Sequence, residues 1–164
     1  MIDYIETLAT FHSNVGVSAA DACDYNTINW QGNTPIAKTT LEGEWLDIYK
    51  AEYIEAMSQQ ARADIVDGFQ SLALGGSPGG YWYDSEEEDQ LNLIGSASAG
   101  DDMNYSCRDT QGGTKTYRLH THEQLLQVVR DGRDVKLGIL QTFNTKKAAV
   151  LAAADKDAVD AITW

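Results

Sequence analysis

Residues 40–74 constrain this chain more than any other stretch, because they contain no proline and their apolar positions keep helical spacing. Leu41, Trp45, Ile48, Ala51, Ile54, Met57, Ala61, Ile65, Phe69 and Leu72 recur at steps of three or four, so they share one slowly turning face. Thr39 with Glu42 has the Ser/Thr-x-x-Glu form of a capping box, which predicts a start near residue 40. The glycines at 75, 76, 79 and 80 and Pro78 predict the stop, since glycine loses too much backbone freedom in a helix and proline lacks the amide donor. A helix of about 35 residues rises roughly 50 Å, longer than a small domain is wide, so it must project or join modules. Its stripe needs a partner, because an unburied helix is marginal in water. Residues 57–72 are expected to pack inside their own domain. Leu41, Trp45 and Ile48 are expected to remain open and, with Trp30, to form an interface. Interruptions at Ala51, Glu52 and Glu55 argue against a uniform heptad coiled coil.

Three segments follow from this helix. Residues 1–38 read as a small N-terminal α/β attachment module. It comprises a helix over 3–12 with Ile5 and Leu8 inward, a turn begun by Ser18 and Asp21, a strand over 25–30 and a turn at 31–33. Residues 39–74 are the connecting helix. Residues 75–164 read as a C-terminal helix and β-hairpin domain packed on the second half of that helix. There, Ser85 and Glu88 form a second capping box ahead of Leu91, Leu93 and Ile94, and the small residues of 95–100 end that helix. Residues 104–108 and 114–119 flank a glycine turn as a hairpin, with Tyr105 and Cys107 pairing across to Tyr117 and Leu119. Thr121 and Gln124 form a third capping box. A bend at 131–133 then separates two helices, the second carrying Val135, Ile139, Phe143 and Val150, and a last short helix over 155–164 docks Val159 and Ile162. The fold class is α+β, mostly helical.

Charge excludes some functions. With 25 acidic and 12 basic residues the net charge is -13, the wrong sign for binding nucleic acid, which needs clustered Lys and Arg. No run of about 18 apolar residues predicts a membrane span. The acidic N-terminal residues do not fit a secretory signal. Cys23 and Cys107 share no Cys-x-x-Cys spacing and read as two buried free thiols, which suits a reducing cytoplasm.

Chemistry-bearing motifs are few. His120 and His122 are spaced to point the same way from a strand end and are the one candidate metal pair, but a third ligand is lacking: Glu123 points elsewhere and His12 lies in the other region. With Thr121 as a helix cap, both imidazoles fall at a strand-to-helix corner, where local hydrogen bonds are the simpler reading. The acidic run 85–89 lacks the alternating ligand spacing of a calcium loop and suits a helix start. Cys107, inward on the hairpin, reads as structural. Tyr81, Trp82 and Tyr83 could stack on a sugar or pack down the glycine segment beside them. Nucleophile-elbow, phosphate-loop, dinucleotide and zinc-protease motifs are absent, so neither an enzyme nor a cofactor is expected.

From about Arg62 to Trp164 the chain resembles an uncharacterised domain family found in bacteriophage tail and tail-fibre proteins. The residues that carry the resemblance are Arg62-Ala-Asp-Ile-Val-Asp-Gly-Phe69, Ala73-Leu74-Gly75, Tyr81, Asp89-Gln-Leu-Asn-Leu-Ile-Gly-Ser96, Tyr105-x-Cys107, Leu119-His-Thr-His-x-Gln-Leu125 and Ile162-Thr-Trp164. Ile28-Asn-Trp30, Pro35 and Leu41-Glu42 are similar to small modules encoded among phage tail genes. The resemblance implies a virion structural protein, made in the bacterial cytoplasm and located at the baseplate or fibre attachment. Its implied partners are other tail proteins and its own copies, three being common around tail fibres. An alternative is a fibre assembly chaperone that leaves before the particle is finished. A metal- or carbohydrate-binding module ranks behind both. The resemblance supplies no catalytic residue.

Overall fold

The computed structural model describes residues 2–76 and 79–164. The fold is α+β and mostly helical. Its elements are α1 (Tyr4–Phe11), β1 (Ser18–Ala19), a 3-10 turn at Tyr25–Thr27, β2 (Ile28–Asn29), α2 (Lys38–Asp67), β3 (Phe69–Ser71), β4 (Tyr81–Tyr83), α3 (Glu87–Ala99), β5 (Met103–Cys107), β6 (Thr116–His120), α4 (His122–Ala152) and α5 (Lys156–Asp160). Among the described residues the strands pair only as antiparallel ribbons, β1–β2, β3–β4 and β5–β6, and a single bridge from Trp82 to Arg108 joins the last two. Two compact units result, Met1–Ala56 with Lys146–Trp164, and Met57–Thr145. The C-terminal tail therefore belongs with the N-terminal residues, a division that the linear reading of the chain did not anticipate.

In the first unit, Asp3 caps α1 by accepting the Glu6 amide at 2.8 Å. Tyr4, Leu8, Ile28 and Leu41 form the core, with Ile2, Val17, Tyr25, Trp30 and Ile36 packed on it. Ser18 lies in β1 and starts no helical turn. α2 begins at Lys38, its first turn closed by the Ala37 carbonyl, which accepts from the Thr40 and Leu41 amides. Glu42 does not complete a capping box there: its carboxylate accepts the Tyr4 hydroxyl at 3.1 Å. The tail is tied in by Tyr53, whose hydroxyl donates to the Ile162 carbonyl at 2.6 Å, and by Lys50, which donates to the Leu151 carbonyl at 3.1 Å. Asp155 caps α5 through the Ala158 amide at 2.9 Å, and Val159 is buried as expected.

In the second unit the expected helix to Leu74 stops at Asp67. Gly68 has φ +117, and a Cβ there would lie 2.5 Å from both the Trp82 indole nitrogen and the Tyr83 carbonyl oxygen, so the chain turns at a point only glycine fits. β3 follows and pairs with β4, Phe69 opposite Tyr83 and Ser71 opposite Tyr81. The glycine segment is therefore the connection of a hairpin rather than a break between domains; Ser77 and Pro78 lie outside the described residues. Leu72, read as part of the stripe, is exposed. α3 starts after Glu86 with no side-chain cap, and it runs through Gly95 to end at Gly100 in the left-handed region. Ser85 is buried instead of capping.

The β5–β6 hairpin forms, one residue out of the expected register. Arg118 opposes Tyr105 and Thr116 opposes Cys107, which turns Tyr117 and Leu119 to solvent. A slip of one residue exchanges the two faces of a strand. The buried face takes the polar residues because each has a partner there: the Arg118 guanidinium lies 4.5 Å over the Tyr81 ring and donates to Asp109 at 2.8 Å, and His120 meets Tyr83. α4 is one helix of 31 residues, without the expected bend at 131–133. Its capping box closes in both directions, the Thr121 amide donating to Gln124 at 2.8 Å and the Gln124 amide to the Thr121 hydroxyl at 3.2 Å. The core is Phe69, Tyr83, Leu93, Ala97, Cys107, Leu125 and Val128.

Candidate functional site

Of the four residues expected to form an open interface, two are interior. Leu41 is 0% exposed in the core of the first unit, and Trp45 is 8% exposed, stacked on Tyr49 with ring centres 5.3 Å apart. α1 and Ile28 cover the first turns of α2, a long-range contact that helical periodicity does not reveal. Ile48 is half-buried, and so is Trp30, which tilts against Tyr25 at 6.0 Å. Beside Trp45 a cavity of about 420 Å³ opens between Ile2, Leu46, Ala154 and Lys156.

His120 and His122 are not brought together as ligands. β6 ends by placing His120 in the core, where its Nδ1 lies 2.8 Å from the Arg118 carbonyl oxygen and its Nε2 lies 2.8 Å from the Tyr83 hydroxyl. A carbonyl only accepts, so Nδ1 carries the proton and Nε2 accepts from Tyr83. The ring stands edge-on to Tyr83 and Tyr105 at 5.9 and 6.1 Å. Burial holds its pKa below the ordinary 6.5, which keeps it neutral. Burial likewise pushes the Tyr105 hydroxyl up to about 12 and raises the Cys107 thiol, so Cys107 is an inert core residue. Cys23, expected to be buried, is partly exposed. His122 opens α4, its amide donating to Asp102 at 2.9 Å while its Nδ1 is buried without a partner. Among the described residues no three His, Cys, Asp or Glu side chains converge as a metal would require.

Two features escaped the sequence reading. Asp84 is gripped by Arg108 through two bonds of 2.9 Å and by Lys115 at 2.9 Å, and the Arg108 bond holds its carboxyl below the ordinary 3.8. This cluster fastens β4 to the hairpin. The second feature is an apolar slot of about 310 Å³ between α3 and α4, lined by Phe69, Leu93, Ile94, Val129 and Gly132, with Lys136 at its mouth. Ile94, which lines it, is 53% exposed, and elsewhere on the same two helices Leu91, Leu137 and Leu140 are exposed. The sequence placed Leu91 and Ile94 on a helix without assigning a face. Tyr81 and Trp82 serve their own unit, Tyr81 beneath Arg118 and Trp82 with its indole N–H 3.3 Å from the Asp67 carbonyl.

The region around these sites matches a family model. A domain of unknown function, DUF4376, aligns with residues 48–163, more than two thirds of the chain. The chain belongs to the DUF4376 family. The match takes in most of α2, the β3–β4 and β5–β6 ribbons, the α3–α4 slot and the tail, and leaves out α1 and the β1–β2 ribbon. No curated protein and no solved structure matches this DUF4376 chain. Among the described residues no helix is long and apolar enough to cross a membrane.

Proposed function

We propose that this DUF4376 chain is a structural protein of a bacteriophage tail, a connector at the baseplate or fibre attachment that works through contacts with other tail proteins and with its own copies. The observation that carries the reading is where the residues are spent. The His120 imidazole and the Asp84 carboxylate are held in internal bonds and the Cys107 thiol is buried, while Leu93 and Ile94 line an open slot, as in a surface made for contact. The tail assignment itself rests on the resemblance of residues 62–164 to phage tail domains. The net charge of -13 favours a second reading, a soluble assembly chaperone that binds fibre protein reversibly and departs.

Quantitative mass spectrometry of purified virus particles tests both. A fixed copy number relative to the tail-tube protein is expected for a connector. Abundance in infected cells with absence from finished particles would replace the connector by the chaperone. Absence from both would remove the tail assignment.

A further inference from the structure

The bridge between Trp82 and Arg108 brings the turn that follows β5 alongside β4. Between them, within the second unit, a recess of about 740 Å³ is lined by Gln70, Tyr81, Trp82, Asp109, Thr110 and Gln111. Small-ligand sites have volumes of roughly 300–1,000 Å³. Two residues hold the walls of this one from behind. Asp67 accepts the Trp82 indole N–H through its carbonyl at 3.3 Å and the Gln111 amide through its carboxylate. Arg118 lies 4.5 Å over the Tyr81 ring and donates to Asp109 Oδ1 at 2.8 Å. The Gln70 amide rests on the bare backbone of Gly79, where a Cβ would lie 3.0 Å from its nitrogen. Aromatic and polar side chains are thus placed before any ligand arrives, which lowers the ordering cost of binding. Both rings remain half-buried rather than buried. Among the described residues, Asp109 Oδ2, Gln111 Oε1, the Gln70 carboxamide and the Thr110 hydroxyl, all on exposed residues, keep their hydrogen-bonding capacity unspent.

From this arrangement we infer that the recess binds a neutral saccharide, with an apolar sugar face against the Trp82 and Tyr81 rings and hydroxyls on Gln70, Asp109, Thr110 and Gln111. The chemistry of the lining selects that class by elimination. An anion finds no Lys or Arg among the lining residues, in a chain of net charge -13. A metal cation finds one lining carboxylate, already shared with Arg118. Proline-rich segments dock on aromatic grooves, but proline has no N–H to give. The free groups here include two oxygens that only accept, Asp109 Oδ2 and Gln111 Oε1, so the ligand must be rich in donors. A sugar meets both demands at once, since each hydroxyl donates as well as accepts and the C–H faces of its ring are apolar, as an aromatic surface requires. The inference goes beyond the connector reading and does not depend on it, because it uses only residues of the second unit and asks for no assembly.

The experiment is isothermal titration calorimetry of the purified full-length chain with α- and β-linked neutral hexasaccharides of glucose, galactose, mannose and N-acetylglucosamine. A heparin hexasaccharide and a decaproline peptide serve as the anionic and proline-rich comparisons. At least one neutral hexasaccharide is expected to bind with Kd below about 1 mM, and more tightly than either comparison. Measured with that hexasaccharide, Gln70→Ala should weaken binding about threefold to tenfold, the ratio that one uncharged hydrogen bond produces. Asp109→Asn keeps an oxygen for Arg118 and should weaken it about tenfold by removing the charged acceptor. Trp82→Leu should weaken it about tenfold or more through loss of the ring. Circular dichroism checks folding. Should Trp82→Leu fail to fold, Gln70→Ala and Asp109→Asn decide the matter, since Gln70 is exposed and Asp109→Asn preserves shape. No heat with any neutral hexasaccharide would overturn the inference. Tighter binding of heparin or decaproline than of every neutral probe, or saccharide binding indifferent to both Gln70→Ala and Asp109→Asn, would equally overturn it.

Discussion

The two compact units solve the same problem of stability by different means. The first is assembled from the two ends of the chain, has strands of two residues, and buries a mainly aliphatic and aromatic cluster around Leu41. The second is one continuous segment, and its core admits an imidazole and a phenol hydroxyl, each the other's partner. Apolar cores tolerate imprecision, because burial is non-directional. A buried polar pair requires alignment, and losing one member leaves the other unsatisfied. The second unit is therefore expected to be the more sensitive to small geometric changes and to pH, and the first to loss of bulk.

The largest effect tests geometry in the second unit. A Cβ on Gly80, where φ is +82, would sit 2.1 Å from the Ser71 carbonyl oxygen in the pairing strand. Gly80→Ala should cost more than about 3 kcal/mol, measured by urea denaturation, because backbone rather than a flexible side chain stands in the way. An effect below that of an ordinary surface change would refute the close approach. Leu41→Ala tests bulk in the first unit and should cost about 2–5 kcal/mol as a cavity opens. Retained stability would mean that the cluster around Leu41 repacks freely.

Tyr83→Phe removes only an oxygen and should cost about 1–3 kcal/mol, by stranding the buried His120 Nε2. The same pair sets a pH dependence. His120 binds its proton less readily folded than unfolded, so above pH 6.5 both states are neutral and no difference exists. As pH falls through 6.5 the unfolded chain takes up a proton that the folded chain refuses, and stability drops by at most about 1.4 kcal/mol per pH unit. His120→Gln should flatten that slope between pH 6.5 and 5, where the carboxylate Asp84, shifted below 3.8, does not yet titrate. A slope unchanged by the substitution would assign it to other groups. The smallest expected effect returns to the first unit: Asp155→Ala removes the cap of α5 and should cost about 1 kcal/mol. A loss several times larger would show the tail to be as dependent on alignment as the second core.

What the sequence made legible was local. The Thr121–Gln124 box forms as read because both of its partners lie within one helical turn. The same motif at Thr39–Glu42 fails because Tyr4, 38 positions away, claims the carboxylate, and at Ser85–Glu88 because Ser85 is drawn into the interior. The end of α2 was hidden for a similar reason. Gly68 interrupts the periodic pattern at only one position, and the Trp82 indole that makes glycine obligatory there is 14 residues further on. In β6 the alternation is plain, but which half faces inward depends on Tyr81 and Tyr83 waiting as partners for Arg118 and His120. The open slot was illegible because Leu93 and Ile94 form it only with Val129 and Gly132 of α4, more than 30 residues away in sequence.

Gly132 carries a consequence for how such a chain can vary. It lies inside α4, where alanine ordinarily serves a helix better by up to about 1 kcal/mol, yet the Phe69 ring lies within 2.6 Å of any Cβ placed there. The two positions, 63 residues apart, are therefore not free to drift singly. A larger residue at 132 becomes acceptable only after a smaller one appears at 69, and among related chains the two sites should change together, in that order.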